Sequence, residues 1–233
     1  MQKYVLITGA ASGIGNYIAN QYMLQSDYIV LCIDLNNCAN IKNSLFFNAD
    51  LRDENAVRNV FSKISRIDLA INCAGISSIR KKLLEFSQSE IVNCWQDNFL
   101  PAFNSVKAEI EIMRQQNKGK IINIASIAGH IGMKNFLAYS TAKAAIINMT
   151  KVAAIENNDK NIRVNSISPA TIDTPMIRKK YDGKLKNYDD VYYTGGCGQA
   201  ADIYHVVKML EANDFMTGND IKVDGGLTEL FAI

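Results

Sequence analysis

Histidine is almost absent from this 233-residue chain: there are two, His130 and His205, and neither stands in metal-ligand spacing. No metal is therefore expected. The five cysteines (Cys32, Cys38, Cys73, Cys94, Cys197) are odd in number and lack paired spacing. Neither a disulfide framework nor a zinc site is indicated. Cys32 and Cys73 fall within expected buried strands, where a thiol acts as a small hydrophobe. No apolar run approaches the ~20 residues of a membrane span. The first strand-like run, residues 4–8, starts so near Met1 that a signal peptide is not expected. An excess of one charge is missing too, since 25 Lys and Arg against 23 Asp and Glu leave +2. The short basic runs at 80–82 and 178–180 read as solvated loop charge, so neither a nucleic-acid nor a membrane partner is expected. Repeats, low-complexity stretches and an interdomain linker are also lacking. These absences leave one cytoplasmic domain, residues 1–233.

What is present is alternation. Strand-like runs at 4–8, 29–34, 45–48, 69–72, 120–125, 162–167 and 220–223 are separated by helix-like stretches at 13–25, 53–64, 90–116, 138–156 and 202–210. Ser87 and Glu90 form a capping box for the third helix. The expected fold class is α/β: a doubly wound sheet of about seven mainly parallel strands, with helices on both faces. Ligands then bind at the carboxyl ends of the strands. The aperiodic stretch 171–199 is expected to be a lid or binding loop.

Thr8-Gly9-Ala10-Ala11-Ser12-Gly13-Ile14-Gly15 follows a strand and opens a helix. In that context the glycines read as a phosphate cradle. Gly9 permits the tight turn, Gly13 and Gly15 allow close approach of a pyrophosphate, and the helix start supplies free N–H groups. Asp34 ends the second strand, placed to accept both ribose hydroxyls of a dinucleotide and to repel a 2′-phosphate. No arginine or lysine stands in the glycine loop or at 35–40, which favours NAD over NADP. Asp50 and Leu51 are placed to meet the adenine edge, with helix capping the alternative for Asp50. Asn72-Cys73-Ala74-Gly75 supplies small residues where the backbone passes a ribose.

Tyr139 and Lys143 lie four residues apart on one helix face, and Ser126 precedes Tyr139 by thirteen residues. Oxidising an alcohol needs a base. A free phenol, with a pKa of about 10, is too weakly ionised near neutrality. The Lys143 ammonium is expected to favour the phenolate, and Ser126 to stabilise charge on the substrate oxygen.

With these residues in place the chain resembles the short-chain dehydrogenase/reductase family over nearly its whole length. The resemblance is carried by Thr8–Gly15, Asn72–Gly75, Asn98, Ser126, Tyr139 with Lys143, Arg163-Val164-Asn165 with Pro169, Thr174, and Asp224-Gly225-Gly226. It implies a Rossmann-type fold and hydride transfer, on the 4-pro-S side, between NAD(H) and a secondary alcohol or its ketone. It further implies that Asn98 holds a water linking Lys143 to solvent and that Lys143 bonds the nicotinamide ribose. Thr174 meets the carboxamide, with Pro169 and Ile172 shaping that pocket. A tetramer or dimer is expected, with residues 227–233 either meeting a neighbour or packing within the chain. Two other readings remain open: an NADPH-dependent 3-oxoacyl-thioester reductase and a non-catalytic NAD-binding regulator. Ala170 departs from the family pattern, which has glycine there, and strains the loop if that position needs positive φ. The segments 76–86, 130–137 and 171–199 are expected to set the substrate, with His130 either contacting it or exposed in its loop.

Overall fold

Side chains of the first strand divide between two layers. In β1 (Lys3–Thr8), Val5 and Ile7 enter one buried cluster and Leu6 the other. In β2 (Tyr28–Asp34), Val30 and Cys32 join the first, Leu31 and Ile33 the second. A strand apolar on both faces must be covered on both. One cover is α1 (Gly13–Met23) with α7 (Ala200–Ala212), bringing Ile18, Tyr22, Ile203 and Val207. The other is α2 (Glu54–Phe61), α4 (Leu100–Gln116) and α5 (Leu137–Glu156), bringing Val57, Phe61, Val106, Met113 and Ala153.

The remaining strands are β3 (Leu45–Asn48), β4 (Leu69–Asn72), β5 (Gly119–Ile124), β6 (Ile162–Pro169) and β7 (Asp220–Val223). All pair in parallel, in the order β3-β2-β1-β4-β5-β6-β7. This is a Rossmann-type doubly wound sheet. The direction of winding reverses between β1 and β4, where a crevice opens at the carboxyl ends. The computed structural model describes residues 2–38, 41, 44–180 and 191–232.

The stretch 90–116, expected as one helix, is two: α3 (Gln88–Asn98) and α4, joined at Phe99. Pro101 has no N–H for the Asp97 carbonyl, so the ladder breaks there and leaves Asn98 at the end of α3. The Ser87/Glu90 capping box is present at the start of α3. Cys73 sits one residue beyond β4 and not inside it, whereas Cys32 is fully buried in β2.

Ala170 causes no strain. Its N–H donates to the Val223 carbonyl at 3.0 Å, and the described non-glycine residues with positive φ are Asn117, Asn135 and Asn161. The expected lid contains α6 (Pro175–Lys180); its residues 181–190 lie outside the described residues, as do Ala39, Asn40 and Ile233. Among the described residues no helix is long and apolar enough to cross a membrane, and no cluster of three or more His, Cys, Asp or Glu is arranged to hold a metal ion.

Candidate active site

A cleft of about 540 Å³ opens over the carboxyl ends of the strands, with Gly9, Ser12, Gly13 and Ile14 on one wall. Gly9 has φ +67°, and a Cβ there would stand 2.8 Å from the Ala74 nitrogen. Gly13 has φ +58° and meets only Thr174, at 3.5 Å. Gly15 packs against the loop itself. A Cβ there would stand 2.3 Å from the Gly9 carbonyl oxygen, so this glycine lets the loop close on itself behind the wall. Ser12 is the N-cap of α1, yet its side chain makes no capping bond and the first turn carries no acid. The free N–H groups and positive dipole end therefore suit a diphosphate.

Thr8 and Asn72 also lie behind the wall. The Thr8 hydroxyl donates to Asn72 Oδ1 and accepts from the Ala74 N–H, each at 3.3 Å. Asn72 Nδ2 donates to Glu109 Oε2 and Asn123 Oδ1, each at 3.0 Å, and Asn123 Nδ2 donates to Thr150 at 2.9 Å. Glu109 is wholly buried, and burial pushes its carboxyl up to about 8; its Oε1 has no protein partner. Nothing in the motifs pointed to Glu109. The available signal was helical period, because Glu109 shares the core face of α4 with Val106 and Met113.

Beside the glycine loop, Asp34 lines the cleft; its Oδ2 accepts from the Ala11 N–H at 2.9 Å and its Oδ1 from the Asn36 N–H at 2.8 Å. Asp50 is not the cap of α2; Asp53 is, accepting from the Asn55 N–H. Asp50 instead receives the Arg52 guanidinium, whose Nη1 also reaches Asp97 at 2.8 Å. Those bonds hold the Asp50 carboxyl below its usual range. Leu51 lines the cleft, its carbonyl accepting from Asn104 at 2.9 Å. Arg52 and Asp97 also line the cleft, and no motif marked them.

Ser126, Tyr139 and Lys143 share the remaining wall with Asn98, Pro169, Ile172 and Thr174. Ser126 caps the short 3-10 turn Ile127–Gly129 that follows β5, while Tyr139 and Lys143 stand one turn apart on α5. Lys143 Nζ lies 5.6 Å from the Tyr139 ring centroid and donates to the Ile124 carbonyl at 3.0 Å. The expected lowering of the phenol by Lys143 is not found. Burial pushes Tyr139 up to about 12, opposed by the Ser126 hydroxyl, and pushes Lys143 down to about 8. Lys143 is buried and Tyr139 half-buried, which penalises each charged form. Cys73, also on the cleft, is pushed up to about 12 by burial.

Asn98 Oδ1 accepts from the Ile76 N–H at 3.1 Å. A Cβ on Gly75 would stand 3.1 Å from that oxygen and 3.8 Å from Lys143 Nζ, so Gly75 leaves room for both side chains. His130 points elsewhere: its Nε2 is 2.8 Å from Asp220 Oδ2 and 3.2 Å from Ser168 Oγ, on the β6–β7 side. His205 is exposed on α7.

A family profile described as short chain dehydrogenase matches residues 3–185. The chain is 32% identical to a cyclohexanol dehydrogenase of Acinetobacter, covering 97% of this chain and 95% of that protein. It is 30% identical to a human 3-oxoacyl-[acyl-carrier-protein] reductase, covering 97% and 98%. A solved structure of ElxO with NADP bound superimposes with a TM-score of 0.89 at 29% identity, covering 98% of this chain and all of that one. The chain belongs to the short-chain dehydrogenase/reductase family of oxidoreductases, which bind a nicotinamide cofactor.

Proposed function

We propose that this chain is a single dinucleotide-binding and catalytic domain that transfers hydride between NAD(H) and a secondary alcohol or its ketone. The observation that carries the reading is the meeting, in one cleft, of the uncapped start of α1, the Asp34 carboxylate and the Ser126–Tyr139–Lys143 wall. The Ser12–Ile14 amides hold the diphosphate and Asp34 accepts the ribose hydroxyls. Asp50 and Leu51 border the adenine, while Ala74 and Gly75 let the backbone pass the second ribose. Pro169, Ile172 and Thr174 enclose the nicotinamide. Once bound, that ring supplies the hydride acceptor or donor.

The chain's own residues handle the proton. Ser126 donates to the substrate oxygen, where charge develops. Tyr139, kept protonated by burial, donates from Oη to the oxygen of a ketone. In the reverse direction it must lose that proton, so rising pH favours alcohol oxidation. Lys143 holds the nicotinamide ribose, and Asn98 carries a water that replenishes the proton.

Asp34 supports NAD over NADP. Among the described residues the one arginine on the cleft, Arg52, is held by Asp50 and Asp97, which leaves it poorly placed to meet a 2′-phosphate. The names of the human relative and the NADP-bound neighbour favour a second reading, an NADPH-dependent 3-oxoacyl-thioester reductase. Titration with NADH and NADPH, followed by nicotinamide fluorescence, separates the two. Preference for NADH supports the first, and preference for NADPH moves the second ahead. Y139F should retain NADH affinity while turnover falls about 100- to 10,000-fold; an active Phe variant defeats the proton-transfer assignment.

The same reading makes the protein a cytoplasmic homo-oligomer. Its five cysteines are free, and Phe103 on α4 with Val152 and Ile155 on α5 remain exposed. Sedimentation as a monomer counts against assembly.

A further inference from the structure

Six of the seven arginines have an oxygen acceptor: Arg52, Arg58, Arg66, Arg114 and Arg178 meet carboxylates, and Arg163 donates to the Asp214 carbonyl. Arg80 has none among the described residues. Its guanidinium carbon stands 4.5 Å from the centroid of the Phe136 ring. Phe136 in turn stacks on Tyr139, with centroids 4.8 Å apart and planes inclined by 28°. A single aromatic ring thus separates this cation, unpaired among the described residues, from the phenol in the cleft wall. The neighbouring loops are fastened there by main-chain pairing, since the Lys81 N–H donates to the Asn135 carbonyl at 3.1 Å.

Stacking occupies the flat face of a guanidinium and leaves its edge, where the N–H donors lie, open. The nearest acids in sequence are already engaged. Glu90 pairs with Lys81, and Glu85 accepts from the Lys82 N–H. Arg80 is exposed, on the segment that leads away from Gly75. It is therefore, among the described residues, a planar donor without an acceptor, one ring away from the Tyr139 that lines the cleft.

We propose that Arg80 receives an oxyanion, carboxylate or phosphate, carried by the substrate at the end remote from its reacting carbinol or carbonyl carbon. This rests on the assignment of Tyr139 as the proton-transfer group. The substrate is then a hydroxy or oxo acid, or a phosphorylated equivalent, whose anion lies several bonds from the reacting carbon. The span follows from the Phe136 ring between the two groups.

The test is calorimetric titration of the NADH-loaded protein with hexanoate, hexyl phosphate and neutral hexanamide. Wild type should bind one or both anions about 10-fold or more tighter than the amide, as charge-assisted bonds allow. Whichever anion binds tighter identifies the source. R80Q should bring the ratio to about one, while R80K, retaining charge, keeps part of the preference. Equal binding of anions and amide by wild type overturns the proposal. So does a preference lost as fully in R80K as in R80Q, since contact with Phe136 and not charge is then responsible.

Kinetics with 5-hydroxyhexanoate and its methyl ester separate this idea from the reading beneath it. The acid should gain chiefly through KM. Turnover of neutral alcohols without any preference for the acid sinks the Arg80 assignment alone. Anion binding that depends on Arg80, without turnover of any alcohol, sinks the hydride-transfer reading and leaves the anion site standing.

Discussion

Asn72 and Glu109 meet at 3.0 Å behind the cleft, joining the end of β4 to the core face of α4. Through Asn72 the same line of bonds reaches Thr8 and the Ala74 N–H. A buried carboxyl is thereby connected to the floor of the cofactor site without facing it.

Glu109 should tax stability as pH rises. Its ordinary pKa of 4.5 is pushed to about 8 in the folded protein. Between those values the unfolded chain releases a proton that the folded one keeps. Stability therefore falls across that window and levels off above about pH 8. E109Q keeps an acceptor for Asn72 and has no proton to lose. Its advantage over wild type in thermal melts should grow by a few kcal/mol between pH 4.5 and 8. Parallel stability curves for the two proteins count against a neutral Glu109.

Lys143 should leave its own mark on cofactor affinity. Because burial holds its ammonium down to about 8, the charged donor is lost as pH passes that value. NADH binding, read by fluorescence, should weaken above about pH 8 in wild type and in E109Q alike. In K143M it should be weaker from the start and flat across that range. A fall that persists in K143M assigns the titration to another group.

Gly13 and Gly15 should respond differently to alanine. A Cβ at Gly15 meets backbone that cannot yield, so G15A should lose at least about 1–3 kcal/mol in urea unfolding. At Gly13 a Cβ makes only ordinary contact with Thr174 and the cost is the left-handed backbone, about 1–2 kcal/mol. G15A should therefore be the less stable variant, and the reverse order is the outcome that contradicts this geometry.

Asp34 sets the last prediction. D34N should weaken NADH by roughly 10-fold, as loss of a charged acceptor does. Discrimination against NADPH should shrink in the same titration. Unchanged discrimination moves the source of cofactor preference elsewhere.

The strands, the glycine loop and the Ser126–Tyr139–Lys143 wall were legible because their determinants are local: short continuous apolar runs, glycines between strand and helix, and fixed spacing on one helix. The division at Phe99 was visible only in Pro101, since apolar periodicity runs straight through it. Asp50 and Asp53 stand three residues apart after one strand, and which of them caps α2 depends on where the first helical turn begins, at Glu54. The pKa values of Tyr139 and Lys143 depend on how much water the assembled wall excludes, a property of several separate segments. Spacing indicated that the two side chains are neighbours, but not that both would be desolvated.

The Asp34 carboxylate fastens the Ala11 and Asn36 amides, so it serves as a latch on the glycine loop as well as a reader of the ribose. Cofactor choice and loop rigidity are for this reason inherited together. A descendant of this protein that drifted toward a phosphorylated dinucleotide could not arrive by exchanging one side chain for a basic one. It would also need another means of tying the glycine loop to the end of β2, so the two changes are coupled.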